Sequence, residues 1–190
     1  MKIRSLFYSL LAGAALVCAS GAQASPNVAL GKTVTLTSGS VDPGSAALST
    51  LTDGLFVGTG TFYQTGTVFW QASNAPTFEL DLGATYSITS ITLEHDNNDI
   101  YLAFYPVGTG VGFASFTNPN GGGMATTVHT FLTPITASKL TFLGFGGDGL
   151  HSLSEIQVTA VPELETYGMM LAGLALMGGV VARRRSRGVA

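Results

Sequence analysis

The chain has 190 residues, of which 10% are charged, with 25 glycines, one cysteine and a formal net charge of −3. Six of the eight basic residues lie in the two terminal segments, so residues 25–160 carry nine carboxylates against two lysines, a net charge of −7. Such a surface repels phosphate backbones, which excludes nucleic acid as an expected partner, and it offers carboxylates to divalent cations.

Residues 1–24 have the pattern of a secretory signal peptide. Basic residues precede an apolar segment, and Ala22-Gln23-Ala24 is a small-x-small cleavage site, so the mature chain is expected to begin at Ser25. The single cysteine, Cys18, falls within the removed segment. Lipidation of this cysteine is disfavoured because Val17, not a small residue, precedes it. The mature chain is therefore expected to fold without disulfides.

Residues 25–160 show no convincing 3.6-residue apolar repeat and are long enough for one domain with a hydrophobic core. Short runs rich in Thr, Val, Ile, Phe and Tyr alternate with Gly, Asn, Asp and Pro, which is typical of strands and turns. The candidate strands are Thr33–Thr37, Thr67–Gln71, Thr77–Leu82, Ser87–Glu94, Ile100–Tyr105, Thr126–Leu132, Lys139–Phe145 and Ser154–Thr159. Eight strands with turns between them predict an all-β sandwich.

The C-terminal segment 161–187 has three parts. A Pro-containing motif at residues 161–166 precedes an apolar run at 167–182, and basic residues follow at 183–187, among them Arg183, Arg184 and Arg185. As a helix, the 16 apolar residues span about 24 Å at about 1.5 Å per residue. This length is marginal for a bilayer core of about 30 Å. Basic residues stay cytoplasmic, so the segment predicts one membrane-spanning helix with a cytoplasmic C-terminus.

This tail resembles the PEP-CTERM sorting signal of Gram-negative bacteria that produce exopolysaccharide, with Leu164 where that family usually has a second proline. The resemblance implies cleavage at Val161-Pro162-Glu163 by an exosortase, an integral-membrane cysteine transpeptidase. It also implies a precursor anchored in the inner membrane, then delivery to the cell surface or extracellular matrix. An ordinary C-terminal membrane anchor is the alternative.

Four segments of the central region resemble, in order, the discoidin or coagulation-factor type C domain. This domain is also found in carbohydrate-binding module family 32. They are Asn27–Lys32, Leu51–Gly54, Trp70–Ser73 with Phe78–Gly83, and Ser152–Val158. The resemblance covers nearly all of residues 27–159. It implies a galactose-binding-like jelly-roll β-sandwich that binds ligands through loops at one end. The family's matching tryptophan is usually in the core, so Trp70 is predicted to be buried.

The same resemblance implies a structural calcium ion near the first loop, held by Asp53, Glu155 and loop carbonyls, and Thr61 is a further candidate ligand from the same loop. Calcium takes six to eight hard oxygen ligands, and a Gly-rich loop can fold its carbonyls around the ion. The alternative is that Asp53 starts a turn with Gly54 while Glu155 is a solvated strand residue.

The most polar run of the central region, His95-Asp96-Asn97-Asn98-Asp99, lies between two candidate strands. Its imidazole, amide and carboxylate groups can donate and accept hydrogen bonds with the hydroxyls of a glycan. Tyr63, Tyr105 and His151 are candidate stacking or hydrogen-bonding partners. The alternative is a turn made of residues that favour turns.

Catalysis has little support in the sequence. Glu79 and Asp81 share one strand face, as the paired carboxylates of a glycosidase can, but this is also the ordinary polar face of a sandwich. The histidines do not cluster at metal-ligand spacing, and no serine lies in a nucleophile elbow. We expect a non-enzymatic, exported module that binds extracellular polysaccharide. The alternative is a structural or adhesive matrix protein that makes protein contacts.

Overall fold

The computed structural model describes residues 26–117, 122–161, 173–175 and 177. The predicted signal peptide, Pro162, Glu163 and the arginine cluster lie outside the described residues. Of the predicted membrane span, only residues 173–175 and 177 are described, and they are helical. Within the described ranges, no helix has the length and apolar character needed to cross a membrane.

Seven antiparallel strands form almost all of the regular structure. They are β1 (Thr33–Ser38), β2 (Val68–Gln71), β3 (Thr77–Asp96), β4 (Ile100–Val107), β5 (Gly110–Thr117), β6 (Met124–Phe145) and β7 (Leu150–Ala160). Two short 3₁₀ turns, Leu48–Thr52 and Ala72–Asn74, flank β2. The prediction of an all-β chain is confirmed.

The sheet folds over on itself because its two longest strands belong to both halves. The hydrogen-bonded order is β2-β7-β3-β6-β4-β5, and β1 also pairs with β3. The first part of β3 pairs with β1 and with the end of β6, whereas its second part pairs with β7 and with the start of β6. Register shifts after Asp81 and after Ile88 interrupt β3 between these parts. Such irregularities bend a strand and let it leave one layer for the other.

The core lies between the layers and is rich in aromatic side chains. Trp70 is 1% exposed, which confirms its predicted core position, and its ring centroid lies 5.1 Å from that of Phe78 and 6.2 Å from that of Tyr101. The largest fully buried side chains are Trp70, Tyr101, Phe78, Phe116, Phe142, Leu51, Leu80, Leu82, Ile88, Ile91, Leu93 and Met124. Burial of apolar surface on this scale is the main stabilising term of the domain.

All eight predicted segments lie in strands of the structure, except that Thr67 precedes β2 by one residue, and the observed strands extend up to four residues beyond the outermost predicted ends. The segments Thr77–Leu82 and Ser87–Glu94 are two parts of β3, and Thr126–Leu132 and Lys139–Phe145 are two parts of β6. The sequence did not predict β5. Its glycines and small residues, in Gly-Val-Gly-Phe-Ala-Ser-Phe-Thr, weaken the alternation by which strands are recognised.

Candidate functional site

Two turns and a long loop meet at one end of the sandwich. The end of β3 pairs with the start of β6, and the start of β4 pairs with the end of β6. Turns 97–99 and 146–149 adjoin these strand ends and therefore lie close together. Loop 53–67 joins them, because the Gly60 amide donates to the Met124 carbonyl at 2.8 Å.

A cleft of about 450 Å³ lies between these segments. Its lining combines two aromatic rings, two carboxylates and two side-chain amides. The lining residues are Gly60, Phe62, Tyr63, Asp96, Asn97, Asn98, Gly122, Gly123 and Asp148. The volume falls in the range of about 300–1,000 Å³ that is usual for small-ligand sites. We refer to these nine residues as the cleft.

An aromatic pair forms one wall of the cleft. The Phe62 and Tyr63 ring centroids are 4.8 Å apart at an interplanar angle of 60°, and Tyr63 packs edge-on against Phe69 of β2 at 6.1 Å. Phe62 is 60% exposed. Tyr63 is thus anchored on the sandwich while Phe62 presents an accessible ring. Aromatic rings of this kind offer an apolar surface with a specific contact geometry.

Buried Glu94 fixes the loop that carries these aromatics. Its Oε2 accepts a hydrogen bond from the Val57 amide at 2.7 Å, and its Oε1 accepts one from the Gly58 amide at 2.9 Å. The Ser154 hydroxyl of β7 also donates to Oε2. A single carboxylate on β3 thereby holds the loop and the neighbouring strand. Hydrogen bonds to a charged group are stronger than neutral ones, so the aromatic wall is rigidly placed.

Glycine is required where β6 begins. Gly123 has φ +87°, and a Cβ atom there would lie 2.6 Å from the Thr61 carbonyl oxygen. The Met124 amide donates to that same carbonyl at 2.8 Å. A side chain at position 123 would therefore separate the aromatic loop from β6.

The opposite wall of the cleft is polar. Asp96 and Asn97 are almost fully buried, whereas Asn98 and Asp148 are exposed. Asp148 Oδ1 accepts a hydrogen bond from the Leu150 amide at 2.9 Å, which fixes the carboxylate at the start of β7. Burial raises the pKa of Asp96, and the charge of Asp148 acts in the same direction. This wall therefore presents hydrogen-bond acceptors and unneutralised negative charge.

Asp99 and His151 lie in the interior beside this wall. Both side chains are fully buried, 3.7 Å apart from Asp99 Oδ1 to His151 Nε2, and neither Asp99 oxygen accepts a hydrogen bond in the part of the chain described. Burial, together with the charges of Asp96 and Asp148, raises the pKa of Asp99 to about 7. Burial lowers the pKa of His151, whose ring stacks on Trp70 at 5.6 Å. Both groups can therefore be uncharged near neutral pH.

Of the six residues predicted to contact a ligand, Tyr63, Asp96, Asn97 and Asn98 line the cleft, and two histidines do not. His95 is fully buried because β3 continues through it to Asp96, and its Nε2 lies 2.7 Å from the Thr127 hydroxyl. His151 is buried against Trp70. The sequence placed both rings at an exposed end of the sandwich, and the structure places them inside it.

Tyr105, also considered as a partner, lies away from the cleft. Its ring packs edge-on against Phe131 at 5.2 Å, near the far end of β4.

Besides three glycines, two cleft residues were not predicted from the sequence, Phe62 and Asp148. Phe62 precedes Tyr63 inside a Gly-rich loop, and adjacent aromatics in such a loop are a signal that could have been used. Asp148 lies in a Gly-Gly-Asp-Gly segment, whose composition indicates a turn and no ligand. Its proximity to Asp96 depends on β4 and β6 being neighbours, which no local pattern reveals.

The predicted calcium ligands come together only in part. Asp53 and Glu155 both bind the turn at Gly54: Asp53 Oδ1 accepts from the Leu55 amide at 2.8 Å, and Glu155 Oε2 accepts from the Gly54 amide at 3.2 Å. Thr61 instead donates its hydroxyl to the Val57 carbonyl at 2.9 Å.

Glu155 is nevertheless chemically suited to a cation. It is fully buried, and its Oε1 has no hydrogen-bond partner among the described residues. Burial and the nearby charges of Asp53 and Glu94 raise its pKa to about 7. A divalent cation at this carboxylate would relieve that cost, so Asp53 and Glu155 fit the predicted ion. Among the described residues no three His, Asp or Glu side chains form a ready metal cluster, and calcium stays a prediction.

Comparison with solved structures shows the fold of the chain. The lectin domain of lectinolysin, solved in complex with the Lewis B antigen, superposes with a TM-score of 0.54 at 18% identity, covering 74% of this chain and 100% of that domain. A fucose-binding module from Streptococcus pneumoniae gives 0.53 at 14% identity, covering 72% of this chain and 99% of the module. A fucolectin from striped bass (Morone saxatilis) serum gives 0.51 at 19%, covering 70% and 48%.

No protein-family model matches the chain, and no curated protein matches it. At identities below 20%, the structural likeness is evidence for the fold. The described residues between 26 and 161 fold as a jelly-roll β-sandwich like those of these structures, and the predicted fold of this region is confirmed.

Proposed function

We propose that residues 26–161 form a non-catalytic module that binds extracellular polysaccharide in the cleft. The observation that carries this proposal is the pairing of an accessible aromatic ring, Phe62, with a wall of acceptors and amides at Asp96, Asn97 and Asn98. The ring suits the apolar face of a sugar, and the amides and carboxylates suit its hydroxyls. Support also comes from the fold, since the superposed structures include a lectin domain and a fucose-binding module.

The direct test is saturable binding of the full-length chain, purified in a non-ionic detergent, to the extracellular polysaccharide of its host. Phe62→Ala is expected to weaken binding by at least about tenfold, because stacking and burial of the ring together contribute about 1.4 kcal/mol or more, and about 1.4 kcal/mol is tenfold in affinity. Its melting temperature should change little, because the ring is 60% exposed. Absence of binding by a folded wild-type chain would contradict the proposal.

We propose in addition that the chain is exported, anchored transiently in the inner membrane, and processed by an exosortase at Val161-Pro162-Glu163. This proposal rests on the resemblance of the tail to the PEP-CTERM signal and on the signal-peptide pattern of residues 1–24. Changing Pro162 and Glu163 together to Ala should leave unprocessed chain in the membrane fraction, detected by immunoblotting of fractionated cells. Normal release of the double variant would contradict it, and Leu164→Ala is the matched control.

A second candidate function, self-association in a matrix, is favoured by the edge strand β5. No charged residue occurs between Asp99 and Lys139, and the exposed side chains of β5 include Val111 at 72% and Phe113 at 60%. In the described part of the chain, no backbone hydrogen bond covers the outer edge of β5. The outer edge of β2, by contrast, is covered by the Asp42 amide, which donates to the Phe69 carbonyl at 3.0 Å.

Uncharged, uncovered edge strands pair readily with other strands, and natural proteins usually block them. If β5 mediates assembly, Phe113→Lys should make the full-length chain monomeric in sedimentation velocity runs where the wild type self-associates. A wild-type chain that is monomeric at high concentration would contradict this second function.

A further inference from the structure

The charges of the sandwich are separated along β3. The two lysines of the sandwich, Lys32 and Lys139, lie near the start of this strand. Lys139 Nζ lies 2.6 Å from Glu79 Oε1 and 3.7 Å from Asp81 Oδ2. Lys32 Nζ lies 3.4 Å from the position that a Cβ atom on Gly83 would occupy. The cleft lies at the other end, beyond Asp96. No lysine or arginine is among its lining residues, and charges separated by more than about 10 Å are largely screened at physiological salt.

Three carboxylates lie together at the cleft end, where no described lysine reaches them and the buried His151 imidazole lies 3.7 Å from Asp99. Asp96 and Asp148 line the cleft, and Asp99 is close enough to both for their charges to act on it. Asp99 is fully buried, and its two oxygens accept no hydrogen bond from the described residues. Asp99 lies behind the cleft wall, whereas Asp96 and the exposed Asp148 line the cleft, so these two carboxylates favour a ligand that brings positive charge or hydrogen-bond donors.

These carboxylates do not resemble the ligands of a metal ion. The described residues contain no group of three acidic or histidine side chains close enough to hold one. The charge is instead spread around a cleft of about 450 Å³ that also presents Phe62 and Asn98. This arrangement fits a small organic cation that has an apolar ring face to stack on Phe62 and hydroxyl groups to form hydrogen bonds with Asn98.

We propose that the cleft selects sugars that carry a free ammonium group, such as a de-N-acetylated hexosamine, over their neutral N-acetylated forms and over anionic sugars. This inference rests on the proposed glycan-binding function and specifies its ligand class. The ammonium group binds among Asp96 and Asp148, and the sugar ring stacks on Phe62. A uronic acid is excluded because its carboxylate would meet two like charges and no cation.

The test compares two oligosaccharides that differ in one chemical feature. The full-length chain in non-ionic detergent is titrated calorimetrically with a glucosamine hexamer and with the matching N-acetylglucosamine hexamer, at a pH where the free amines are protonated. A uronate oligomer, hexalysine and the host polysaccharide are titrated alongside. We expect the glucosamine hexamer to bind at least about tenfold more tightly than its acetylated form and the preference to shrink as salt rises.

Variants that remove one carboxylate charge at a time show which carboxylates cause the preference for the glucosamine hexamer. Asp148→Asn retains an oxygen for the Leu150 amide and lies on the surface, so it should fold normally and lose several-fold in affinity for the glucosamine hexamer alone. Asp96→Asn should act in the same direction. Asp81→Asn removes one charge at the opposite end of β3 and serves as the matched control, with unchanged affinity.

The possible outcomes distinguish failure of the ammonium selectivity from failure of glycan binding itself. Equal affinity for the two hexamers, or binding of the uronate, overturns the charge selectivity while leaving glycan binding intact. Binding of hexalysine but of no saccharide overturns both, since the cleft would then recognise a basic peptide. If only the host polysaccharide binds, and Asp148→Asn has no effect on it, the selectivity is again overturned.

Discussion

The two ends of β3 carry similar numbers of carboxylates and use them differently. At its start, Glu79 and Asp81 face water and share Lys139. At its end, Glu94 and Asp96 are buried, and no lysine or arginine of the described chain pairs with them. Exposed ion pairs contribute little stability, whereas buried unpaired carboxylates are costly unless backbone amides or a ligand satisfy them. The contrast shows that the start of β3 is an ordinary solvated face, whereas at its end Glu94 holds the aromatic loop and Asp96 lines the cleft.

The largest expected effect comes from removing the carboxylate that holds the aromatic loop. Glu94→Ala leaves the amides of Val57 and Gly58 without their acceptor and should lower the free energy of unfolding by about 3 kcal/mol, measured by urea denaturation. Glu79→Ala, at the solvated end, is the matched control and should leave stability unchanged within error. Equal losses in the two variants would remove the distinction between the ends.

The next effect is a pH dependence at Asp99. Its pKa in the fold, about 7, lies above the ordinary value of 3.8, so the folded chain keeps a proton that the unfolded chain releases. This group therefore lowers the free energy of unfolding as pH rises from about 4 to about 7, at a slope of up to about 1.4 kcal/mol per pH unit.

Asp99→Asn cannot ionise and should avoid that loss. Thermal or urea unfolding should show the variant more stable than wild type at about pH 8, by on the order of 3 kcal/mol, with the advantage vanishing near pH 4. A variant whose stability differs from wild type by the same amount at both pH values would show that Asp99 is not held in this way.

The smallest effect concerns calcium at Glu155 and Asp53. If this carboxylate pair holds the ion, calcium should raise the melting temperature of the wild-type chain by a few degrees, by mass action on the folded state. Glu155→Gln and Asp53→Asn should each abolish the shift. Asp42→Asn, remote from the Gly54 turn, should retain it. A calcium shift that persists in both site variants would rule out these ligands.

Much of the fold could be predicted because strand patterns are local. The alternation in Thr77–Leu82 and the apolar faces of Lys139–Phe145 predicted strands that the structure contains in β3 and β6. The continuity of each long strand through a bend could not be predicted, because Gly83 in β3 and Pro134 in β6 are residues typical of turns. β5 was missed because glycine, alanine and serine occupy four of its eight positions.

The site was harder to predict because it depends on which strands are neighbours. The polar run after His95 was recognisable from composition, and three of its residues line the cleft. Whether a given polar residue faces the cleft or the core follows from the register of β3, which buries His95 and leaves Asn98 exposed. Asp148 is about fifty positions further along the chain and reaches the cleft only because β4 pairs with the end of β6.

The most direct test of the glycan site compares the removal of two phenylalanines of equal exposure. Phe62 lies in the cleft and Phe113 on β5, and each is 60% exposed. Binding of the full-length wild type, Phe62→Ala and Phe113→Ala to the host polysaccharide is measured under one set of conditions. We expect Phe62→Ala to lose at least about tenfold in affinity and Phe113→Ala to bind as wild type does. Equal binding by all three, or a loss confined to Phe113→Ala, would contradict the assignment of the cleft as the glycan site.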